Sequence, residues 1–357
     1  MKIYIVSRNP ETKKSNPYVA TLIQGINNQF SDIEWKFGFN FLWDTNLFDF
    51  DIIHFMWPHE LIGPRSEKWV TIDLIENRLK ELKKRNIKIV ATCHNLVPHY
   101  SSNKDAIKCY DLVYQYADMI FHLGDFSLNL FRKEYPTARN ILLPHQVYDQ
   151  LYTEIYDKNK CLRYLNLKAD KRYLLCFGEF RDNEERKLIV DLAKQLQSEK
   201  IEFIAPRFIP IPVRRNPILK IIPFIKLVHY KIKYPFIHTY GNFIPNNLIP
   251  YFYGASDLAF IQRLHILNSG NVPLGFLMAK VVVGPNTGNV GSLLNATGNP
   301  TFDITKKDSI MVALKEGLKL AQMNKGENNR RYALTEFSTQ RISYMMYNYY
   351  KELISCL

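Results

Sequence analysis

The stretch that most constrains the fold is 255–294, ASDLAFIQRLHILNSGNVPLGFLMAKVVVGPNTGNVGSLL. Two short runs in it, 259–262 and 281–283, are apolar and β-branched or aromatic, the character of parallel strands buried on both faces. Between them Asn268-Ser269-Gly270-Asn271 offers N-cap residue types, and Pro273 suits a first helical turn. Leu274, Leu277 and Met278 then supply an apolar helical face. Strand, polar loop and helix in this order aim a helix N-terminus out of the carboxyl end of a strand, which is a place for an anion. The second strand runs into Gly284-Pro-Asn-Thr-Gly-Asn-Val-Gly291, where Gly288 and Asn289 open a second such turn. Two candidate phosphate cradles on consecutive strands restrict the chain to the α/β class.

The rest of the chain repeats the alternation. Residues 2–7 read as a strand, 9–16 as a polar loop and 18–26 as a helix with apolar spacing. No G-x-G-x-x-G follows that strand, which argues against a dinucleotide cofactor. Strands are expected at 52–55, 87–92, 119–122 and 140–143, with helices at 67–86, 105–116 and 126–134. Each of these four strands ends in a histidine or leads into one: His54, His94, His122 and His145. His59 and His99 lie a few residues past the first two strands. One such imidazole is ordinarily a structural hydrogen-bonding group; four at the carboxyl edge of one sheet favour a site. Residues 151–170 are polar, carry no strand signal and read as a linker. A second α/β unit begins with a strand at 173–177 and the turn Gly178-Glu-Phe-Arg181, followed by a helix at 184–198 and a strand at 201–205.

The opening stretch resembles the donor-binding half of GT-B glycosyltransferases, especially the large retaining family 4. That family carries a Glu-Gly-Phe-Gly loop opening a helix with a second Glu, then a strand and a glycine turn. Here Asn268 stands at the first Glu and Phe276 at the second, an Asn-Ser-Gly variant of the loop. Asp-Ile-Ile-His-Phe-x-Trp-Pro at 51–58, Thr-x-His-Asn-Leu-x-Pro-His at 92–99 and Ala117-Asp118 before a strand are similar to the acceptor-side domain of the same enzymes. The resemblance covers most of 1–335. It implies two Rossmann-like doubly wound parallel-sheet domains facing a cleft: 1–150 on the acceptor side, 171–335 for the nucleotide sugar, and 336–357 as a terminal helix returning to the first domain. In that family an Arg, and a Lys five residues on, clamp the donor diphosphate. Arg181 falls at the Arg position and Arg186 at the Lys position. A guanidinium suits bidentate phosphate contact, and Arg263 is a further candidate cation. For Arg181 the competing reading is a surface ion pair with Asp182 or Glu184; for Arg186 it is pairing with Glu184 or Glu185.

The 357 residues are 46% hydrophobic and 23% charged, so a disordered chain is excluded. Five scattered cysteines show no metal spacing and fit a reducing compartment. No signal peptide or uninterrupted membrane span is visible, and a cytoplasmic protein is expected. The 47 basic against 34 acidic residues, a net charge of +13, favour an anionic partner. The segment 206–235 concentrates this excess: Arg207, Arg214, Arg215, Lys220, Lys226, Lys231 and Lys233 alternate with apolar residues and no acid. It suits peripheral contact with an anionic bilayer, or equally a strand-helix pair of the core sheet with an exposed Lys edge.

The function implied is transfer of a hexosyl unit from a nucleotide-diphosphate sugar to a saccharide, in particular a lipid-linked one, in surface polysaccharide synthesis. The donor would meet Arg181, Arg186, Arg263, Asn268, Ser269, Gly270, Asn271, Gly288 and Asn289. The acceptor would lie near Asn95, His59 and His99. His94 is the catalytic candidate, as general base or as a contact orienting the sugar, because histidine titrates near neutrality. Asn268 either hydrogen-bonds a sugar hydroxyl or serves only as the helix N-cap. No metal motif and no cofactor are expected; Asp49-Phe-Asp51 matches a metal motif by letter alone. Two rivals stand beside this reading: a nucleotide-sugar epimerase, and a catalytically inactive protein of the same fold that binds a polyanion or glycan. No nucleic-acid module is recognisable, and nucleic acid is not an expected partner.

Overall fold

The structure, a computed structural model, describes residues 1–10, 17–62, 69–98, 104–209, 221–241 and 244–355. The chain divides into two compact units, Met1–Gln146 with Phe337–Leu357, and Val147–Glu336.

The first unit is a six-stranded, all-parallel sheet. Its strands are β1 (Lys2–Val6), β2 (Glu34–Gly38), β3 (Ile52–Phe55), β4 (Lys88–Cys93), β5 (Met119–His122) and β6 (Arg139–Leu142), in the order β2-β1-β3-β4-β5-β6. Helices α1 (Pro17–Asn27), α2 (Ile72–Lys84), α3 (Lys104–Tyr116) and α4 (Asp125–Glu134) connect them. The helix ends follow from local chemistry. Thr71 caps α2 by accepting from Leu74 N–H at 3.2 Å, Asp73 sits in its first turn, and Lys83 and Lys84 sit in its last. β3 is buried at all four residues, as a central parallel strand requires. After α11 (Lys307–Gln322) and α12 (Lys325–Glu336), the terminal helix α13 (Thr339–Ser355) lies against α1 and lays Ile342, Met346, Tyr350 and Leu353 into the same core.

The second unit repeats the design with β7 (Arg172–Leu175), β8 (Ile201–Ile204), β9 (Ile237–His238), β10 (Leu258–Phe260), β11 (Val281–Pro285) and β12 (Thr301–Phe302). All neighbours are again parallel, in the order β12-β11-β10-β7-β8-β9. The chain therefore builds outward from β7 through β8 to β9, then crosses back and builds the other way from β10. The point between β7 and β10 where the winding reverses is where such sheets bind ligands, beyond the carboxyl ends of the strands.

The fold class is the expected one, with local differences. The region expected as a linker, 151–170, holds helix α5 (Lys158–Tyr164), capped by Asp157 and packed on α8 (Ile249–Ala255). The strand expected at 259–262 is Leu258–Phe260, because the backbone leaves the sheet before Gln262. The segment expected to be either a membrane element or a strand-helix pair becomes helix α7 (Ile221–Lys233) followed by β9; residues 210–220 lie outside the described residues. Among the described residues, no helix is long and apolar enough to cross a membrane.

Candidate active site

At the switch point of the second unit two loops approach each other. The first leaves β7 through Gly178, whose φ of +111° favours glycine, and enters α6 (Asn183–Leu196) at Asp182. Asp182 caps that helix by accepting from Glu185 N–H at 2.8 Å. The second leaves β10 and runs through Arg263 and Asn268–Asn271 into α9 (Asn271–Leu277). Asn271 ties them together, its side-chain amide donating to the Phe177 carbonyl at 2.5 Å.

The residue that organises this region is Glu185, which is 4% exposed. Its Oε2 accepts the Arg181 backbone N–H at 3.0 Å and its Oε1 accepts Arg263 Nε–H at 3.0 Å. Arg263 also donates to the Glu179 carbonyl at 3.0 Å. One buried carboxylate thus fixes the cation-bearing turn after β7 and braces the loop after β10. The sequence signal for it was present: Asp182-x-x-Glu185 has the spacing of a capping box. Here the Glu side chain reaches the N–H of Arg181, one residue before the cap.

The three arginines expected at the diphosphate differ in what they do. Arg181 is exposed, with its backbone held by Glu185. Arg186 is committed to three main-chain carbonyls, Phe208 at 3.1 Å, Asp182 at 2.6 Å and Phe180 at 2.8 Å. It is a brace for the β7–α6 turn, bonded to these carbonyls and not to Glu184 or Glu185. Arg263 is the partner of Glu185, and its side chain is 20% exposed.

The loop at 268–271 is shaped from behind. Ser269 Oγ accepts Asn271 N–H at 3.3 Å. The residue capping α9 is Gly270, so Asn268 is not the N-cap. Asn268 Oδ1 instead accepts from Asn289 Nδ2 at 2.8 Å. The turn expected as a second phosphate cradle is engaged by the chain itself. Asn289 N–H and Val290 N–H at the start of α10 (Gly288–Ala296) both donate to the Leu267 carbonyl, at 2.9 and 3.2 Å. The first peptide N–H groups of α10 thus hold the chain's own loop where an anion was expected. Gly288 is required there, with φ +55° and the Ile266 oxygen 2.6 Å from where a Cβ would stand. Gly288 and Asn289 therefore support the loop that carries Asn268.

In the first unit the four strand-end histidines separate into two kinds. His54 and His122 are core residues, both 0% exposed. His54 shares hydrogen bonds with Tyr350 Oη of α13 at 2.6 Å and Thr92 Oγ1 at 2.8 Å, and burial pushes its pKa down to about 3. His122 Nε2 donates to Asn140 Oδ1 at 2.8 Å, since Asn140 spends its amide hydrogens on the Tyr135 and Ala138 carbonyls. Burial lowers the His122 pKa to about 4.

His94 and His145 instead flank one aromatic ring. Tyr18, at the start of α1, has both imidazole centroids 4.8 Å from its own. Trp57, just past β3, stacks on His94 at 4.7 Å and 20°. Gln146 anchors the group by donating to the Tyr18 carbonyl at 2.7 Å and to Thr21 Oγ1 at 3.1 Å. His145 Nδ1 donates to the Gln146 carbonyl at 2.6 Å, and burial lowers its pKa to about 4. Tyr18 and Gln146 escaped sequence reasoning, and Trp57 stood in the 51–58 motif without a role, because no spacing links the three; the parallel sheet does. His59 stacks on Tyr110 and shares a 2.8 Å hydrogen bond with its hydroxyl, and burial lowers its pKa. Asn95 is buried, its carbonyl accepting from Tyr114 Oη at 2.9 Å. His99 lies outside the described residues. Among the described residues, no cluster of three His, Cys, Asp or Glu side chains is arranged to hold a metal ion.

No protein-family model matches the chain, and no curated protein matches it in sequence. Solved structures do. Sucrose-phosphate synthase from Thermosynechococcus elongatus superposes with a TM-score of 0.74 at 14% identity, covering 100% of both chains. Anabaena HepE in complex with UDP-glucose gives 0.68 at 13% identity, again over 100% of both. A putative UDP-N-acetylglucosamine 2-epimerase from Listeria monocytogenes gives 0.56 at 13% identity, over 97% of this chain and 94% of the other. The fold is that of the GT-B glycosyltransferases.

Proposed function

We propose that this protein is a nucleotide-sugar-dependent glycosyltransferase of the family-4 kind. Its donor would be held on the second unit, and its acceptor would be a saccharide, lipid-linked and destined for a surface polysaccharide. The observation that carries the reading is the Glu185-centred arrangement at the switch point. It sets an exposed guanidinium, Arg181, on the loop neighbouring Asn268–Asn271, in a fold shared with a protein crystallised with UDP-glucose.

Transfer breaks the bond between the anomeric carbon and a diphosphate oxygen and forms one from that carbon to an acceptor hydroxyl oxygen, whose proton passes to the departing nucleoside diphosphate, on which negative charge grows. Arg181 and the peptide dipole at Gly270 oppose that charge without a metal. Asn268, its carbonyl oriented by Asn289, presents an amide to a sugar hydroxyl. His94, held between Trp57 and Tyr18 on the first unit, is the catalytic candidate of the acceptor side, and the transfer would retain configuration. The reaction would run at the cytoplasmic face of a membrane carrying the acceptor.

The test is thermal stability with UDP-, GDP-, TDP- and CMP-sugars, repeated with Arg181→Ala. A ligand at about 100 times its dissociation constant stabilises the native state by about 2.7 kcal/mol. Stabilisation by one nucleotide class, lost in the variant, supports the proposal. Stabilisation by heparin or DNA alone sinks it in favour of a polyanion-binding protein. Conversion of a bound donor to its epimer without acceptor would establish the epimerase reading, which the likeness to the Listeria protein keeps in view.

A further inference from the structure

Helix α7 carries an exposed apolar stripe. Ile221, Phe224, Ile225, Val228 and Ile232 are 52%, 57%, 60%, 39% and 77% exposed. Their spacing of i, i+3, i+4, i+7 and i+11 places all five on one side of a helix. The opposite side anchors the helix: Leu227 is buried in the core of the second unit, and Tyr230, with Tyr234 just past the helix end, packs against that core. α7 is thus fixed to its unit by one face and holds the other out to solvent.

The surroundings of the stripe select its partner. His229, Lys231 and Lys233 are exposed on the same helix, and no acid occurs anywhere in 206–235. An isolated exposed apolar side chain is ordinary, but a continuous row with a basic border marks a binding surface. At 13 residues α7 is about 20 Å long, too short to span a bilayer and suited to lying along its surface. We infer that α7 is a membrane-docking element, its stripe of Ile221, Phe224, Ile225, Val228 and Ile232 entering an anionic bilayer while Lys231 and Lys233 meet lipid phosphates. Apolar insertion and charge attraction would act together, as in interfacial amphipathic helices.

The experiment is flotation of the full chain with vesicles of phosphatidylcholine alone and of phosphatidylcholine with phosphatidylglycerol. The chain should float with the anionic vesicles and much less with the neutral ones. Added salt should weaken the binding as it screens Lys231 and Lys233. Phe224→Ser/Ile225→Ser/Ile232→Ser should lower the bound fraction by about ten-fold. Lys231→Ser/Lys233→Ser, at exposed positions, should remove the preference for anionic lipid. Both variants should melt like the parent and keep its response to nucleoside diphosphates, a readout of the donor site independent of docking. Parent chain that floats with neither vesicle overturns the inference, as does a serine variant that floats like the parent. A dimer dissolved by the serine substitutions, with no vesicle binding, would show that a second copy covers the stripe and would also overturn it.

Discussion

The Glu185 arrangement makes a quantitative prediction. In Glu185→Gln the amide oxygen still accepts the Arg181 N–H, but the charge opposite Arg263 is gone. Removing one partner of a fully buried ion pair costs about 3–5 kcal/mol. The Glu185 side chain is 5% exposed and that of Arg263 20%, so water recovers part of the loss and about 2 kcal/mol is expected. For a unit the size of Val147–Glu336, that lowers the melting temperature by about 4–8 °C. The same substitution loosens both loops of the proposed donor site, so nucleoside-diphosphate binding, measured by calorimetry, should weaken with the melting point. A double-mutant cycle with Arg263→Met isolates the pair, with an expected coupling of about 1–2 kcal/mol. A Glu185→Gln variant melting within about 1 °C of the parent, or effects that simply add with Arg263→Met, would refute the argument.

Arg181→Met should weaken nucleoside-diphosphate binding by about ten-fold or more, a larger effect than the one it has on the melting temperature of the unliganded protein. Arg186→Met should do the reverse, lowering stability because three carbonyls lose their donor; calorimetry and melting curves of the two variants check the contrast. Gly288→Ala forces an L side chain to φ +55° with its Cβ 2.6 Å from the Ile266 oxygen, and should cost about 2 kcal/mol or more together with donor binding. His54 and His122, neutral in the fold with pKa values near 3 and 4, take up protons in the unfolded chain below about pH 6.5. The stability this represents is complete above pH 6.5 and is lost as pH falls toward those values, about 2 kcal/mol from each by pH 5. Melting temperatures between pH 7.5 and 5 should fall accordingly, with a shallower fall in His122→Asn; a flat profile would contradict it.

The fold was legible in the sequence because its central strands are uninterrupted apolar runs between polar turns. β3, β5 and β10 are buried along their whole length and show it. What was not legible lies at the edges. β2, Glu-Trp-Lys-Phe-Gly, is a half-exposed edge strand whose residues carry no buried-strand signature. β9 and β12 are two residues each and exist only because a neighbour pairs with them. Helix α5 hides in a polar segment because only Cys161 and Leu162 of it are buried.

The candidate site was legible at the level of loops but not at the level of roles, and the reason is the range of the interactions that assign roles. Arg181, Arg186 and Arg263 are the same residue type, each placed after a strand or in the first turn of a helix. What makes a brace of a guanidinium is its partner: Glu185 for Arg263, 78 positions away in sequence, and the carbonyl of Phe208, 22 positions away, for Arg186. The histidines divide in the same way. His54 is silenced by Tyr350 on a helix 296 residues later, whereas His94 stands against Trp57 and Tyr18. A local pattern announces that a strand end carries a functional residue type. Whether that residue is consumed by the core or presented at the sheet edge is decided by whichever distant side chain the winding of the sheet brings beside it.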